Sequence, residues 1–129
     1  MPPVTKDVRR YDFPETDPIV PGEGKILRFT VRERTGPNTW VNASSFAQYA
    51  NTTFFLMDKA ADAGTTDAER KAKSVFWASA TPGTPPYMDV ILSPAQTALV
   101  RTGARWYELW TDYDGVPTRL AYGHISFVD

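Results

Sequence analysis

The chain has 129 residues, a formal net charge of −1 and no cysteine. That length suits one domain with a single core, and the near-neutral charge gives no global positive field for nucleic acid or an anionic membrane. Disulfides and thiolate-bound metals are excluded, and no apolar run approaches the roughly 20 residues that span a bilayer.

Residues 1–24 read as a proline-rich extended arm. They hold five of the eleven prolines, Pro2, Pro3, Pro14, Pro18 and Pro21, which remove backbone donors and disfavour helix. The same segment carries Val4, Val8, Tyr11, Phe13, Ile19 and Val20, more apolar than a linker needs. Three readings follow: the arm lies along a neighbouring subunit, it wraps its own domain, or it is simply frayed. The segment lacks the apolar run of a signal peptide, so the sequons at Asn42 and Asn51 are expected to be chance matches and the protein to be made in soluble form.

Residues 25–129 read as a β-sandwich domain. In "KILRFTVRERTG", Leu27, Phe29 and Val31 alternate with Arg28, Thr30 and Arg32, the period of a half-buried strand. "TGPN" is a turn and "TWVN" a short strand or strand extension. "TTFFLMDK" and "KSVFWASA" are apolar runs of strand length. "PYMDVILS" sets Met88, Val90 and Leu92 against Tyr87, Asp89 and Ile91. "ARWYELWTDY" and "TRLAYGHISFV" close the chain around an Asp-Gly hairpin turn.

Two helical interruptions are expected. In "TTDAERKAKS", Thr66 is an N-cap with Glu69 at capping-box spacing, but the segment has no apolar face. In "SPAQTALVRTG", Ser93 caps, Pro94 takes the first helical position and Gly103 terminates, with Ala95, Ala98 and Leu99 facing inward. Many short strands with minor helix give an all-β class: an immunoglobulin-like antiparallel sandwich with one or two helical turns and an extended N-terminal arm.

The strand "RWYELWTDY" is apolar on both faces. Tyr107, Leu109, Thr111 and Tyr113 take one side, and Trp106, Glu108, Trp110 and Asp112 the other. With Tyr107 and Leu109 inside, the two indoles fall on the outer face. Each can bury on the order of 200 Å², so leaving both in water forfeits several kcal/mol at about 25 cal/mol per Å². Three covers are open: the arm through Tyr11, Phe13 and Ile19, a neighbouring subunit, or a sugar stacked on Trp106, Trp110 and Tyr113. A flipped register that makes the indoles core is the fourth possibility.

Residues suited to catalysis or metal binding are sparse. His124 is the single histidine, beside Gly123, which leaves room for a neighbouring ring. Asp112 and Asp114 in "DYDG" resemble the start of a calcium loop, but the remaining oxygen ligands are missing. Glu108 and Asp112 would stand about 13 Å apart on one strand face, beyond the ~9.5 Å upper limit for paired glycosidase carboxylates. No enzyme, metal or cofactor is expected. Arg28, Arg32 and Arg34 would share one strand face, suited to an acidic partner or simply solvated beside Glu33.

The order of parts in "VILSPAQTALVRTGARWYELWTDYDGVPTRLAYGHISFVD", residues 90–129, is distinctive. A strand ending in Leu-Ser leads into Pro-Ala-x-Thr-Ala-Leu, followed by Gly, an aromatic strand, a turn, and Leu-Ala-x-Gly-x-Ile. This resembles the N-terminal immunoglobulin-like domain of the phage baseplate upper protein family. The likeness extends more loosely upstream to about residue 25. The arm, the "AADAGTTDAERKAK" insertion and the paired tryptophans stand outside the pattern. The resemblance implies a tailed-bacteriophage virion protein, tail- or baseplate-associated or capsid-decorating, made in the host cytoplasm. Its implied partners are other virion proteins. Read from the residues themselves, the candidate protein interface, toward those partners or copies of the chain, is Tyr11, Phe13, Ile19, Arg28, Arg32, Trp106 and Trp110. A carbohydrate- or receptor-binding module using surface aromatics is the alternative.

Overall fold

The computed structural model describes residues 9–129; Pro2, Pro3, Val4 and Val8 of the expected arm lie outside the described residues. The strands are β1 (Arg9–Arg10), β2 (Lys25–Thr30), β3 (Arg32–Gly36), β4 (Thr39–Asn42), β5 (Tyr49–Met57), β6 (Phe76–Pro82), β7 (Tyr87–Leu92), β8 (Gly103–Tyr113) and β9 (Val116–Phe127). Two short helices, α1 (Asp67–Lys73) and α2 (Pro94–Thr97), interrupt them. The fold is all-β and sandwich-like.

Seven strands join in the order β1-β9-β8-β5-β6-β7-β2, and β3-β4 forms a separate hairpin. Every pairing is antiparallel except β1 with β9. Strand β6 turns the corner of the sandwich. Its Phe76–Ser79 half pairs with β5, and its Ala80–Pro82 half pairs with β7. A strand that changes partners midway lets one continuous sheet fold over and face itself.

The inner faces meet in a core that includes Leu27, Phe54, Leu56, Val90, Leu92, Tyr107, Leu109 and Phe127. These are the apolar members of the alternating patterns, as expected for strands with one buried face. A smaller cluster of Val31, Tyr49, Met88 and Tyr113 lies under the β3–β4 hairpin, which is tied down where the Tyr49 hydroxyl donates to Glu33 Oε2 at 2.8 Å.

The strand expected over 25–36 is divided at Val31. Its N–H donates to Pro86 O and its carbonyl accepts from Ala43, so the chain leaves one sheet and enters another at that residue. Arg28, Arg32 and Arg34 therefore do not share a face. Arg34 instead donates to the carbonyls of Gly36 and Pro37 within its own hairpin.

Along residues 11–20 the arm lies on its own domain. Tyr11 N–H donates to Tyr122 O at 2.8 Å, Phe13 N–H to His124 O at 2.9 Å, and Ile19 N–H to Ser126 O at 2.9 Å, extending the parallel pairing with β9. Phe13 packs edge-on to both Phe29 and Tyr107, and the Tyr107 hydroxyl donates to Tyr11 O at 2.6 Å. Ile19 is core, at 1% exposed. The close approach needs Gly123, because a Cβ there would stand 2.2 Å from the Tyr11 carbonyl oxygen. The space beside His124 thus admits backbone, where a ring was expected.

Local signals set the turns and caps. Asp114 and Gly115 both take positive φ, 48° and 81°, the pair a tight hairpin turn between β8 and β9 requires. Ser93 and Gln96 form a reciprocal capping box on α2. The inward residues there differ from those expected. Thr97 and Val100 are buried, while Leu99 is 62% exposed and Ala95 is also outside. Four helical residues are too few to present a stripe, and Thr97 is drawn in by hydrogen bonds, its hydroxyl donating to Glu23 O and accepting from Gly22 N–H.

Candidate functional site

The indoles of β8 do point to the outer face, opposite Tyr107 and Leu109. Trp106 packs there with Phe55 and Met57 in a second apolar layer separate from the main core. Between the indoles stands Glu108, 2% exposed. Its Oε2 accepts from the Trp106 indole N–H at 2.9 Å and its Oε1 from the Trp110 indole N–H at 2.8 Å. Arg119 Nη1 lies 3.5 Å from Oε2 and supplies countercharge from β9. A buried carboxylate is tolerable only with such partners.

Trp106 packs against Tyr122 and His124 of β9, and the cover of Trp110 is the chain's own helix α1. Thr66 caps it, accepting from Glu69 N–H, while Glu69 Oε2 accepts from the N–H and hydroxyl of Thr65. Those contacts hold the Glu69 carboxyl below the usual carboxylate range, the Thr65 backbone N–H contributing most. From the inner side of this helix Arg70 lays its guanidinium over the Trp110 ring, 3.7 Å from its centroid, and within 5.7 Å of that of Phe55. Arg70 is 3% exposed, and burial lowers its pKa from the ordinary arginine value. The polar segment without an apolar stripe therefore docks through a cation on an aromatic face.

This arrangement corrects the expected cover. Trp106 at 7% and Tyr113 at 8% exposed are buried in the domain, and Trp110 lies beneath Arg70, so Trp106, Trp110 and Tyr113 make no open platform for a sugar. Trp110 is therefore shielded by the chain's own Arg70. Of the other candidate interface residues, Ile19 is core and Phe13 is half-buried against it. Tyr11, Arg28 and Arg32 remain at the surface.

A further uncovered stretch of outer surface lies on β7 and β2. Directly opposed Ile26 and Ile91 are 62% and 56% exposed, with Tyr87 at 41%. Arg28 pairs across the strands with Asp89 in a two-pronged contact, Nε to Oδ1 at 2.9 Å and Nη2 to Oδ2 at 3.2 Å. The Arg28 hydrogen bond holds the Asp89 carboxyl below its usual range. Arg28 also stacks over Tyr87, 5.0 Å from the ring centroid. The result is an apolar strip with a neutralised charge pair at its middle. Ile26 and Ile91 carried a readable signal, isoleucine at the polar phase of an alternating strand.

His124 lies beside Asp12, Nδ1 to Oδ1 3.8 Å, and edge-on to Trp106. Asp112 accepts from the Asn51 side chain and Asp114 occupies the hairpin turn. Among the described residues no group of three or more His, Asp or Glu is placed to hold a metal ion, and no helix is long and apolar enough to cross a membrane. Compared with known proteins, the chain matches no protein-family model and no curated protein.

Proposed function

We propose that this chain is a non-enzymatic building block of a bacteriophage particle, tail- or baseplate-associated or capsid-decorating, that works by protein–protein contact. The observation that carries the reading is the uncovered strip of Ile26, Tyr87 and Ile91 on the outer sheet face. Contiguous exposed apolar surface around a compensated ion pair is the composition of a contact patch. Strand β2 is also the sheet edge, and its backbone groups offer a further hydrogen-bonding rim. The resemblance of residues 90–129 to the baseplate upper protein family supports the particle context.

The partners are copies of the chain and other particle proteins. Repetition around a symmetric assembly lets modest contacts add to a stable structure. Tyr11, 51% exposed on the arm, provides a second contact. Mass spectrometry of gradient-purified particles, combined with hydroxyl-radical footprinting, tests the reading. The expected result is a chain that bands with the particle and is protected at Tyr87 and Ile91. A chain absent from the particle overturns it.

A further inference from the structure

A groove of about 560 Å³ opens between α1 and the outer face of the sheet. Its floor includes Asn51, Trp77, Trp110 and Asp112, and its wall includes Asp67 and Lys71. We propose that this groove binds a neutral oligosaccharide. The proposal is independent of the assembly reading and uses a different set of residues.

Size and chemistry both select this ligand class. The volume falls within the range of small-molecule clefts. The lining alternates indole rings with carboxylate, amide and hydroxyl groups, Thr53, Thr66 and Ser79 among the last. A lipid or other wholly apolar ligand would strand those polar groups without partners. Charge is balanced, Asp67 and Asp112 against Arg70 and Lys71, so no net field favours an anion or a cation. A pyranose has what remains to be matched: hydroxyls that both donate and accept, and a C–H face that packs on an aromatic ring.

The backbone beneath the groove is shaped for this. Strand β5 takes three residue steps from Ala50 to Thr53 while β8 takes two from Asp112 to Trp110, which places a bulge at Asn51–Thr52. Asn51 adopts φ 53°, a left-handed conformation uncommon outside glycine, and its side-chain amide donates to Asp112 Oδ2 at 3.2 Å. Bulges re-aim side chains beside functional sites, and a buried hydroxyl pair, Thr52 with Thr111 at 2.9 Å, fixes this one. The two indoles are held as well. Trp110, its ring covered by Arg70 and its N–H held by Glu108, is a fixed part of the groove floor and leaves the stacking face to Trp77. Trp77 has the Lys71 ammonium 4.4 Å from its ring centroid, itself paired with Asp67 at 3.2 Å, and still keeps 45% of its surface open. A preformed platform reduces the ordering cost of binding.

The test is an amide and indole NMR titration of the full chain with maltotriose, cellotriose and tri-N-acetylchitotriose, and with sialyllactose and inorganic phosphate as anionic probes. At least one neutral trisaccharide is expected to give saturable shifts at Asn51, Thr53, Ser79 and the Trp77 indole. Trp77→Ala weakens binding about tenfold or more, because a stacking face is lost. Asp112→Asn weakens it too, whereas Ile91→Asp, on the assembly strip, leaves it unchanged. Trp77 and Asp112 lie at the surface, and circular dichroism of both variants checks that the fold is retained. Shifts with only sialyllactose or phosphate, no shift with any neutral trisaccharide, or shifts insensitive to both groove variants would overturn the proposal.

Discussion

Glu108 accepts the indole N–H of Trp110, its second neighbour along the same strand, at 2.8 Å. With Trp106 bound to the other oxygen, one carboxylate orders both rings. The outer layer of the domain is thus a polar network clad in aromatics, closed by the Arg70 guanidinium. Glu108→Gln leaves one indole donor unpaired and two arginines short of countercharge. A loss of about 3 kcal/mol is expected in urea unfolding, within the range for breaking a buried charged network. Arg70→Ala is expected to raise acrylamide quenching of tryptophan fluorescence while leaving the main core intact, because it strips the cover from Trp110 alone.

The arm's attachment is equally testable. Gly123→Ala would set a methyl carbon 2.2 Å from the Tyr11 carbonyl oxygen, an approach that backbone cannot accommodate. The expected result is loss of hydrogen-exchange protection at the Tyr11, Phe13 and Ile19 amides, with protection of β5 and β8 kept. Tyr107→Phe removes only the 2.6 Å bond to Tyr11 O and is expected to cost about 1 kcal/mol without releasing the arm.

Stability should fall at both ends of the pH scale, for different groups. Hydrogen bonds depress the carboxyls of Glu69 and Asp89 on folding. Their contribution is present above the unfolded carboxylate value of about 4 and is lost as pH falls through the lower folded values. Both are solvent-accessible, so the loss is small and shrinks with added salt. Burial pushes the phenols of Tyr107 and Tyr49 up, the bond to Glu33 adding to the effect at Tyr49. Their contribution is present below the unfolded tyrosine value of about 10 and is lost as pH rises beyond it. Urea midpoints are expected to be flat between these limits, with Tyr107→Phe softening the alkaline decline.

Much of this fold was legible in one dimension because its signals are local. The alternation through Leu27 and Phe29, the capping spacings at Thr66–Glu69 and Ser93–Gln96, and the Asp114–Gly115 turn each involve only a few neighbouring residues. That Trp106 and Trp110 share one face was readable for the same reason, but which face is outer was not, because both faces of the strand are apolar. What covers Trp110 was not readable either, because the cover is a helix some forty residues upstream whose buried side chain is an arginine. Amphipathic patterning registers apolar stripes and is blind to a guanidinium packed on a ring. The division of the first long strand at Val31 was hidden similarly. Its alternation continues without a break while its hydrogen-bond partners change from Pro86 to Ala43.

The claim that this domain acts by contact rests on the strip around Ile26 and Ile91, and sedimentation velocity of the full chain across a wide concentration range tests it most directly. The expected result is a sedimentation coefficient that rises with concentration for the native chain and stays at the monomer value for Ile91→Asp, whose side chain already faces solvent and so leaves the fold unchanged. A native chain that sediments as monomer throughout, indistinguishable from the variant, would contradict it.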